Sequence, residues 1–475
     1  MLGVGVYFMW RNTDVDDYYV GGRSMSSWHI GLSVVATDVG GGFSIGLGGL
    51  GFTIGLSGNW MLFTGLTGAW LSGVFLIPRV FKLIRKHKLL TFPQIFFYMF
   101  NARVALIAGI VSAIGYIGFT SAQILAGAKL AVATFPTLSL NSAILIMGVT
   151  AVVYTVLGGI KAVIYTDTVQ WILLMGGLIF IGIPLGYLAV GGWQGITSTL
   201  APEFLSFRNI SWQQMVNWSV TIIPIWFIGM TLYQRIYASQ NEKTAQKAWF
   251  IAGGLEWPIM AFMGVALGLF ARVALQQGMF TELGYTELGS IDSEMGLPVL
   301  LRTILPVGLM GLMMSAYFSA IMSTADSCLM AASGNLVSDI MSRFLPIKEE
   351  KLLQYSQGAT LILGTMALLL ATVMTNVLDL MLLSYSFMVS GLFVPLIAAM
   401  FFRKRNASAA MVAMLGGGSM TLLLEIMRML FDTNMPLGLD PNIFGLSFSL
   451  VLYWLVVAFV NGSTSQGPDA LSSQQ

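Results

Sequence analysis

Cysteine is nearly absent from this 475-residue sequence: Cys328 stands alone, so neither an internal disulfide nor a cysteine-based metal cluster can form. Histidine is almost as scarce, and with only His29 and His87 a haem or multi-histidine centre is not indicated. Charge is the third shortage. Asp, Glu, Lys and Arg make up 9% of the chain, where a soluble domain carries about a quarter. A formal net charge of +2 argues against a nucleic-acid surface. What fills the sequence instead is apolar: hydrophobic residues reach 56%, mean hydropathy is +0.80, and there are 53 glycines. This is the composition of a polytopic membrane protein, whose helices approach one another through small residues.

The segment from Met1 to Trp10 is apolar but shorter than the roughly 20 helical residues a hydrocarbon core requires. It lacks a basic leader and a small-residue cleavage site, so it reads as a truncated first helix, or a start codon placed too late, rather than a signal peptide. Long apolar segments follow at 28–50, 60–82, 102–135, 141–159, 164–190, 212–237, 245–275, 297–336, 352–375, 379–401, 407–430 and 443–462. With the leading stub they predict an all-α protein of about thirteen transmembrane helices. The short-period alternation of a β-barrel is missing.

Basic residues gather in alternate loops. Arg11, Arg23, Lys82, Arg85, Lys86, Lys88, Lys161, Arg235, Lys243, Lys247, Arg343, Lys348, Lys351, Arg403, Lys404 and Arg405 fall on one side. The other side holds Arg208 and the acidic stretch 276–296, with Glu282, Glu287, Asp292 and Glu294. The positive-inside rule makes the first set cytoplasmic, which places the N-terminus outside and the Ser/Gln-rich tail inside a plasma (cell inner) membrane.

Five acids lie within or near apolar spans: Asp38, Asp167, Glu256, Asp326 and Glu425. A carboxylate at the centre of a spanning helix costs at least about 2.5–3.5 kcal/mol, so each needs a partner, a water cavity or a function. Glu425, three residues before Arg428, reads as a structural ion pair or as an acid at the membrane interface. Glu256 beside Trp257 and Pro258 serves either a kink or a function. Asp38 sits in Ala36-Thr37-Asp38-Val39-Gly40-Gly41-Gly42-Phe43, where three glycines weaken the helix and free backbone carbonyls. Close helix packing accounts for those glycines but not for the aspartate. In Ser319 to Ser327, residues Ala320, Ser323, Thr324 and Ser327 share one helix face and Asp326 borders it. Such hard oxygen donors suit a hard cation, although single hydroxyls in these helices commonly bond the carbonyl four residues back. Asp167, at the cytoplasmic start of a span, is either a capping acid or a cation contact on the inner path.

At these residues the chain resembles the sodium/solute symporter family of proline, sugar, sialate, iodide and choline carriers, over roughly residues 18–400. The resemblance rests on Tyr18-Tyr19-Val20-Gly21-Gly22-Arg23-Ser24-Met25, Gly158-Gly159, Tyr165-Thr166-Asp167 with Gln170, Gln234-Arg235, and Ser323 to Ser327. It implies a broken-helix core of two inverted five-helix repeats. The divisions would be a lead-in at 1–27, repeats at 28–190 and 191–402, two accessory helices at 403–462, and a disordered cytoplasmic tail at 463–475. Gly40 to Gly42 and Pro224 interrupt corresponding helices of the two halves, as expected beside a midplane site.

The resemblance further implies a main Na⁺ site from the carbonyls of Ala36, Val39 and Ala320 with the hydroxyls of Ser323 and Thr324. A second Na⁺ site or ion path would use Asp167, Ser323, Asp326 and Ser327, with Asp38 also tied to sodium. Asp326 departs from the hydroxyl found in two-sodium members, leaving one or two ions per cycle open. The solute would lie among Asp38, Phe43, Gln123, Trp226, Phe227, Met230, Thr231, Ser384, Tyr385 and Phe387. The expected function is sodium-coupled import of a small organic solute, an amino acid or amine, by alternating access. Sodium is the co-transported ion, and no organic cofactor, nucleic acid or obligate protein partner is indicated. Rival readings are a proton-coupled symporter titrating at Asp38 or Asp326, and a transporter-like sensory module. A membrane enzyme finds no support, since neither a His-Glu-x-x-His pattern nor an aspartate-rich diphosphate motif occurs.

Overall fold

The computed structural model describes residues 23–459 except 39, 346–348, 403–404, 432 and 434, with the side chains of 40, 41, 157–166, 349 and 350 likewise outside the description. The expected leading helix, most of the 1–27 lead-in and the 463–475 tail fall outside it. Among the described residues every extended element is helical. Eight helices are long and apolar enough to cross a membrane, or nine if one bent pair counts as a single span.

The first apolar segment forms α1 (Ser27–Asp38) and α2 (Gly40–Ile54); Gly40 to Gly42 are helical, and the position between the two helices lies outside the described residues. Next come α3 (Trp60–Leu71), α4 (Ile77–His87), the short α5 (Pro93–Met99) and the long α6 (Ala102–Thr134). Helix starts are closed by polar caps. The Asn101 side chain accepts the N–H groups of Arg103 and Val104 at 3.0 Å each, occupying donors that have no partner inside the helix.

Where two spans were expected at 141–159 and 164–190, one helical assignment, α7 (Leu140–Gly177), runs without a break. Along it Thr155 meets Asp326, Asp167 meets Ser323, and Gly177 lies on Met313.

The second half begins with α8 (Trp212–Ile228) and α9 (Met230–Ala238), bent by 40°. The break falls at Gly229 (ψ 115°) and not at the expected Pro224, which stays inside α8. Proline kinks a helix by withholding one hydrogen bond, whereas the rotated Gly229 ends it. Tyr116 of α6 services the break: its hydroxyl accepts the Thr231 N–H at 3.0 Å. Helices α10 (Glu242–Gly254) and α11 (Ala261–Gln276) flank a wide turn whose Trp257 is non-helical, immediately after Glu256.

The expected 297–336 span is two helices, α12 (Ser293–Ile304) and α13 (Val307–Gly334), separated at Leu305-Pro306 because proline forces its predecessor out of helical geometry. The series ends with α14 (Glu349–Ala371), α15 (Val377–Phe401), α16 (Ala407–Phe431) and α17 (Pro441–Phe459). Glycine makes the closest crossing. Gly51 of α2 lies on the Val265 backbone and Gly268 of α11 lies on the Gly48 backbone, leaving no room for a β-carbon at either. The expected Glu425–Arg428 pair forms at 2.7 Å.

Candidate ion and solute site

Thr324 on α13 reaches across to the broken helix. Its hydroxyl lies 3.2 Å from the Ala36 carbonyl of α1 and 3.2 Å from the Ala320 carbonyl one turn earlier on α13. The Ser323 hydroxyl, beside it, donates to Asp167. Ala36, Ala320, Ser323 and Asp167 line one narrow cavity of about 10 Å³ with Gln170, Trp171 and Met260, enough for a single water-sized sphere. Four of the five residues expected at the main cation site thus converge. The fifth, Val39, lies outside the described residues.

The second expected cluster is organised around a residue that sequence reasoning placed in a loop. Arg235 is fully buried at the end of α9. Its guanidinium donates to Asp167 Oδ2 at 3.2 Å, Thr37 at 2.7 Å, Ser33 at 3.2 Å, Ser327 at 2.8 Å and the Thr231 carbonyl at 3.3 Å. Ser33 also donates to Asp167 at 2.5 Å. Asp167, Ser323 and Ser327 are therefore brought together, and a buried arginine neutralises the carboxylate. Asp326 turns the other way, accepting the Thr155 hydroxyl at 2.5 Å, while its second oxygen has no protein partner. Hydropathy reads only that α9 is amphipathic and basic at its end; it carries no signal that this end is inside.

Around Asp38 the residues separate into two groups. The Tyr385 hydroxyl donates to Asp38 at 3.3 Å, and Tyr385 stacks on Phe119 (centroids 4.9 Å) and lies 6.3 Å from Phe43. Gln123 packs on Gly42, and its amide nitrogen lies 3.8 Å from the Met381 sulfur. Glu256, fully buried against Gly65, is a second acid near Asp38, and neither of its carboxylate oxygens has a hydrogen-bond partner among the described residues. Neither acid has a basic partner among the described residues. Phe119, Met381 and Glu256 join this group without having been expected in it.

Other expected solute residues face elsewhere. Trp226 packs on Gly68 and Trp249, and the Met230 sulfur accepts the Phe92 N–H at 3.1 Å. Phe387 packs on Gly418 of α16, and Phe227 lies 5.8 Å from Phe393. Thr231 is tied to Tyr116, and Ser384 donates to the Leu380 carbonyl at 2.7 Å beside Gly118.

Comparison with known proteins gives a consistent set of likenesses. The model of the sodium:solute symporter family matches residues 18–417. A sodium/glucose cotransporter of Vibrio parahaemolyticus is 25% identical over 99% of this chain and 89% of its own length. The high-affinity proline transporter of Bacillus subtilis is 27% identical over 89% of each. A sodium/sialic acid symporter of Proteus mirabilis is 28% identical over 74% of this chain and 71% of its own. The solved structure of a substrate-bound, outward-open Na⁺-coupled sialic acid symporter superposes with a TM-score of 0.78 at 22% identity, covering 96% of this chain and 95% of that one.

Proposed function

The chain belongs to the sodium:solute symporter family, and from that premise we propose that it is a sodium-coupled importer of a small organic solute carrying an amine, working by alternating access. It is a multi-pass membrane transporter and not an enzyme. The observation that carries the reading is the Thr324 bridge between the carbonyls of Ala36 and Ala320, which joins the broken helix to α13 beside an ion-sized cavity. In this reading Na⁺ takes the place of the Thr324 hydrogen bond at that bridge, and the hydroxyl keeps its proton and turns its oxygen to the ion. It takes the carbonyls of Ala36, Val39 and Ala320 with the hydroxyls of Ser323 and Thr324. Asp167, Ser323, Ser327 and Asp326 mark a second ion position or the exit path.

The architecture that goes with this reading is about thirteen spans in two inverted five-helix repeats, 28–190 and 191–402, followed by two accessory helices. The break at Gly229, in the first helix of the second half, supports it, as does the run of glycines at the corresponding place in the first. The N-terminus is outside and the C-terminus cytoplasmic. The solute binds among Asp38, Phe43, Phe119, Gln123 and Tyr385. Two facing acids without a basic partner favour a positively charged group, and aromatic faces beside them add cation–π attraction.

Energetically, one Na⁺ crossing 100 mV contributes about 2.3 kcal/mol. A tenfold concentration gradient adds about 1.4 kcal/mol, so one ion concentrates a neutral solute several-hundred-fold, roughly. The test is uptake of radiolabelled amino acids, amines and sugars into proteoliposomes with and without an inward sodium gradient. Uptake should require sodium and should fall at least about tenfold in a Ser323→Ala/Thr324→Ala variant. Full sodium-dependent uptake in that variant removes the ion-site assignment.

A further inference from the structure

The break at Leu305-Pro306 leaves α12 as a separate helix laid along α2, the outer limb of the broken helix. Gly48 faces Leu297, Gly49 faces the Glu294 side chain, and Gly46 faces Leu378 at the start of α15. At the N-terminal end of α12 sits a buried ion cluster. Lys129 of α6 is 2% exposed, and its Nζ lies 2.5 Å from both Asp292 and Glu294. Glu294 also accepts the N–H groups of Val377 and Leu378 at 2.9 Å each, the first residues of α15. Asp292 accepts the Glu294 N–H at 3.0 Å, which closes the start of α12.

One ammonium faces two carboxylates, a net charge of −1 that the N-terminal end of α15, with its partial positive charge, offsets in part. Three elements, α6, α12 and α15, meet at this one point. Gln123 lies six residues inward of Lys129 on α6, a drop of about 9 Å, and Tyr385 lies eight residues inward of Val377, about 12 Å. The cluster therefore stands about two turns above the Asp38 group, on the side that carries the acidic 276–296 stretch.

Resting on the symporter reading, we propose that Lys129, Asp292 and Glu294 form the external latch of the transport cycle, pinning α12 over the solute site and parting to admit solute. A buried ion cluster is a poor device for stability, since apolar residues of the same size hold helices as well. It is a good device for a contact that must open, because water, which already reaches Asp292, solvates Lys129 and Glu294 once α12 lifts. The cost of lifting is set by how many of the four contacts to Glu294 and Asp292 break together.

The test uses Leu378→Cys as a reporter beneath α12. The one native cysteine, Cys328, is fully buried. A membrane-impermeant maleimide added outside reconstituted vesicles should label Leu378→Cys slowly in sodium chloride and in potassium chloride alike. Adding Lys129→Gln should speed labelling about tenfold as the open population rises. Lys129→Arg, which keeps the charge, should remain slow, and Asp292→Asn, at the half-exposed partner, should fall between. An unchanged rate in Lys129→Gln and Asp292→Asn overturns the latch. Equal acceleration by Lys129→Arg also overturns it, because packing and not charge would then hold the lid. If Lys129→Gln does not assemble, Asp292→Asn decides alone. Loss of sodium-dependent uptake in the unaltered carrier would count against sodium coupling and leave the labelling ratios to judge the latch.

Discussion

Arg235→Gln is the sharpest perturbation the structure offers. The guanidinium makes five hydrogen bonds, to Asp167, Thr37, Ser33, Ser327 and the Thr231 carbonyl, all out of water. Counted singly at about 1.5–3 kcal/mol each, bonds to a charged donor would suggest an implausible total. The hydroxyls of Ser33, Thr37 and Ser327 can re-pair with one another, so what is left behind decides the cost. That is Asp167, 1% exposed, with a full charge and only hydroxyl donors. Removing one partner of a buried ion pair costs about 3–5 kcal/mol, and we expect Arg235→Gln to lose that much. Asp167→Asn removes the stranded charge, so the double variant should regain at least about 2 kcal/mol of the summed single losses. Denaturant unfolding in detergent micelles, followed for the four proteins, measures the cycle. A loss below about 1 kcal/mol in Arg235→Gln, or losses additive within about 0.5 kcal/mol, would refute the buried-pair reasoning.

Three further outcomes follow from single contacts. Gly51→Ala places a β-carbon into the Val265 backbone, so α2 and α11 must separate; we expect a loss of about 1–3 kcal/mol, read as a lowered melting temperature. Thr155→Val takes away the hydroxyl that Asp326 accepts at 2.5 Å and should cost about 1–3 kcal/mol, with Thr155→Ser restoring most of it; equal melting temperatures for the two variants would show that the bond contributes nothing. Arg428→Gln, at a pair whose arginine is 46% exposed but whose Glu425 is only 7% exposed, should cost about 1–3 kcal/mol because the carboxylate loses its partner, and an unchanged melting temperature would show that the pair contributes nothing.

The expected spans appeared largely where hydropathy placed them, because a window of 20 apolar residues has few alternatives in lipid. What hydropathy averages away is the break. It joined α12 to α13 because Pro306 sits between two apolar helices, and it pointed to Pro224 when the rupture is at Gly229. Ala320 and Thr324 were legible because periodicity stacks them on one helix face, whereas Ala36 came only with the family resemblance. Arg235 was not, since a basic residue at the end of an apolar run reads the same whether it enters water or turns inward. Trp226, Met230 and Phe387 show the same limit: position along a helix was right, but which neighbour each would face depends on the bend at Gly229 and on helix rotation.

The neutralised Asp167 bears on how long an ion stays. With Arg235 holding that carboxylate, the proposed main position offers only uncharged carbonyls and hydroxyls, and affinity for a hard cation rises with the charge of its ligands. The Thr324 hydroxyl fills the gap between Ala36 and Ala320 when no ion is there, at the modest strength of one neutral hydrogen bond, about 1 kcal/mol. An ion entering displaces little and leaves little behind. Residence is then short, which suits a cation that must be surrendered to the cytoplasm once per turnover: what a permanent metal site would count as weakness is here the condition for speed.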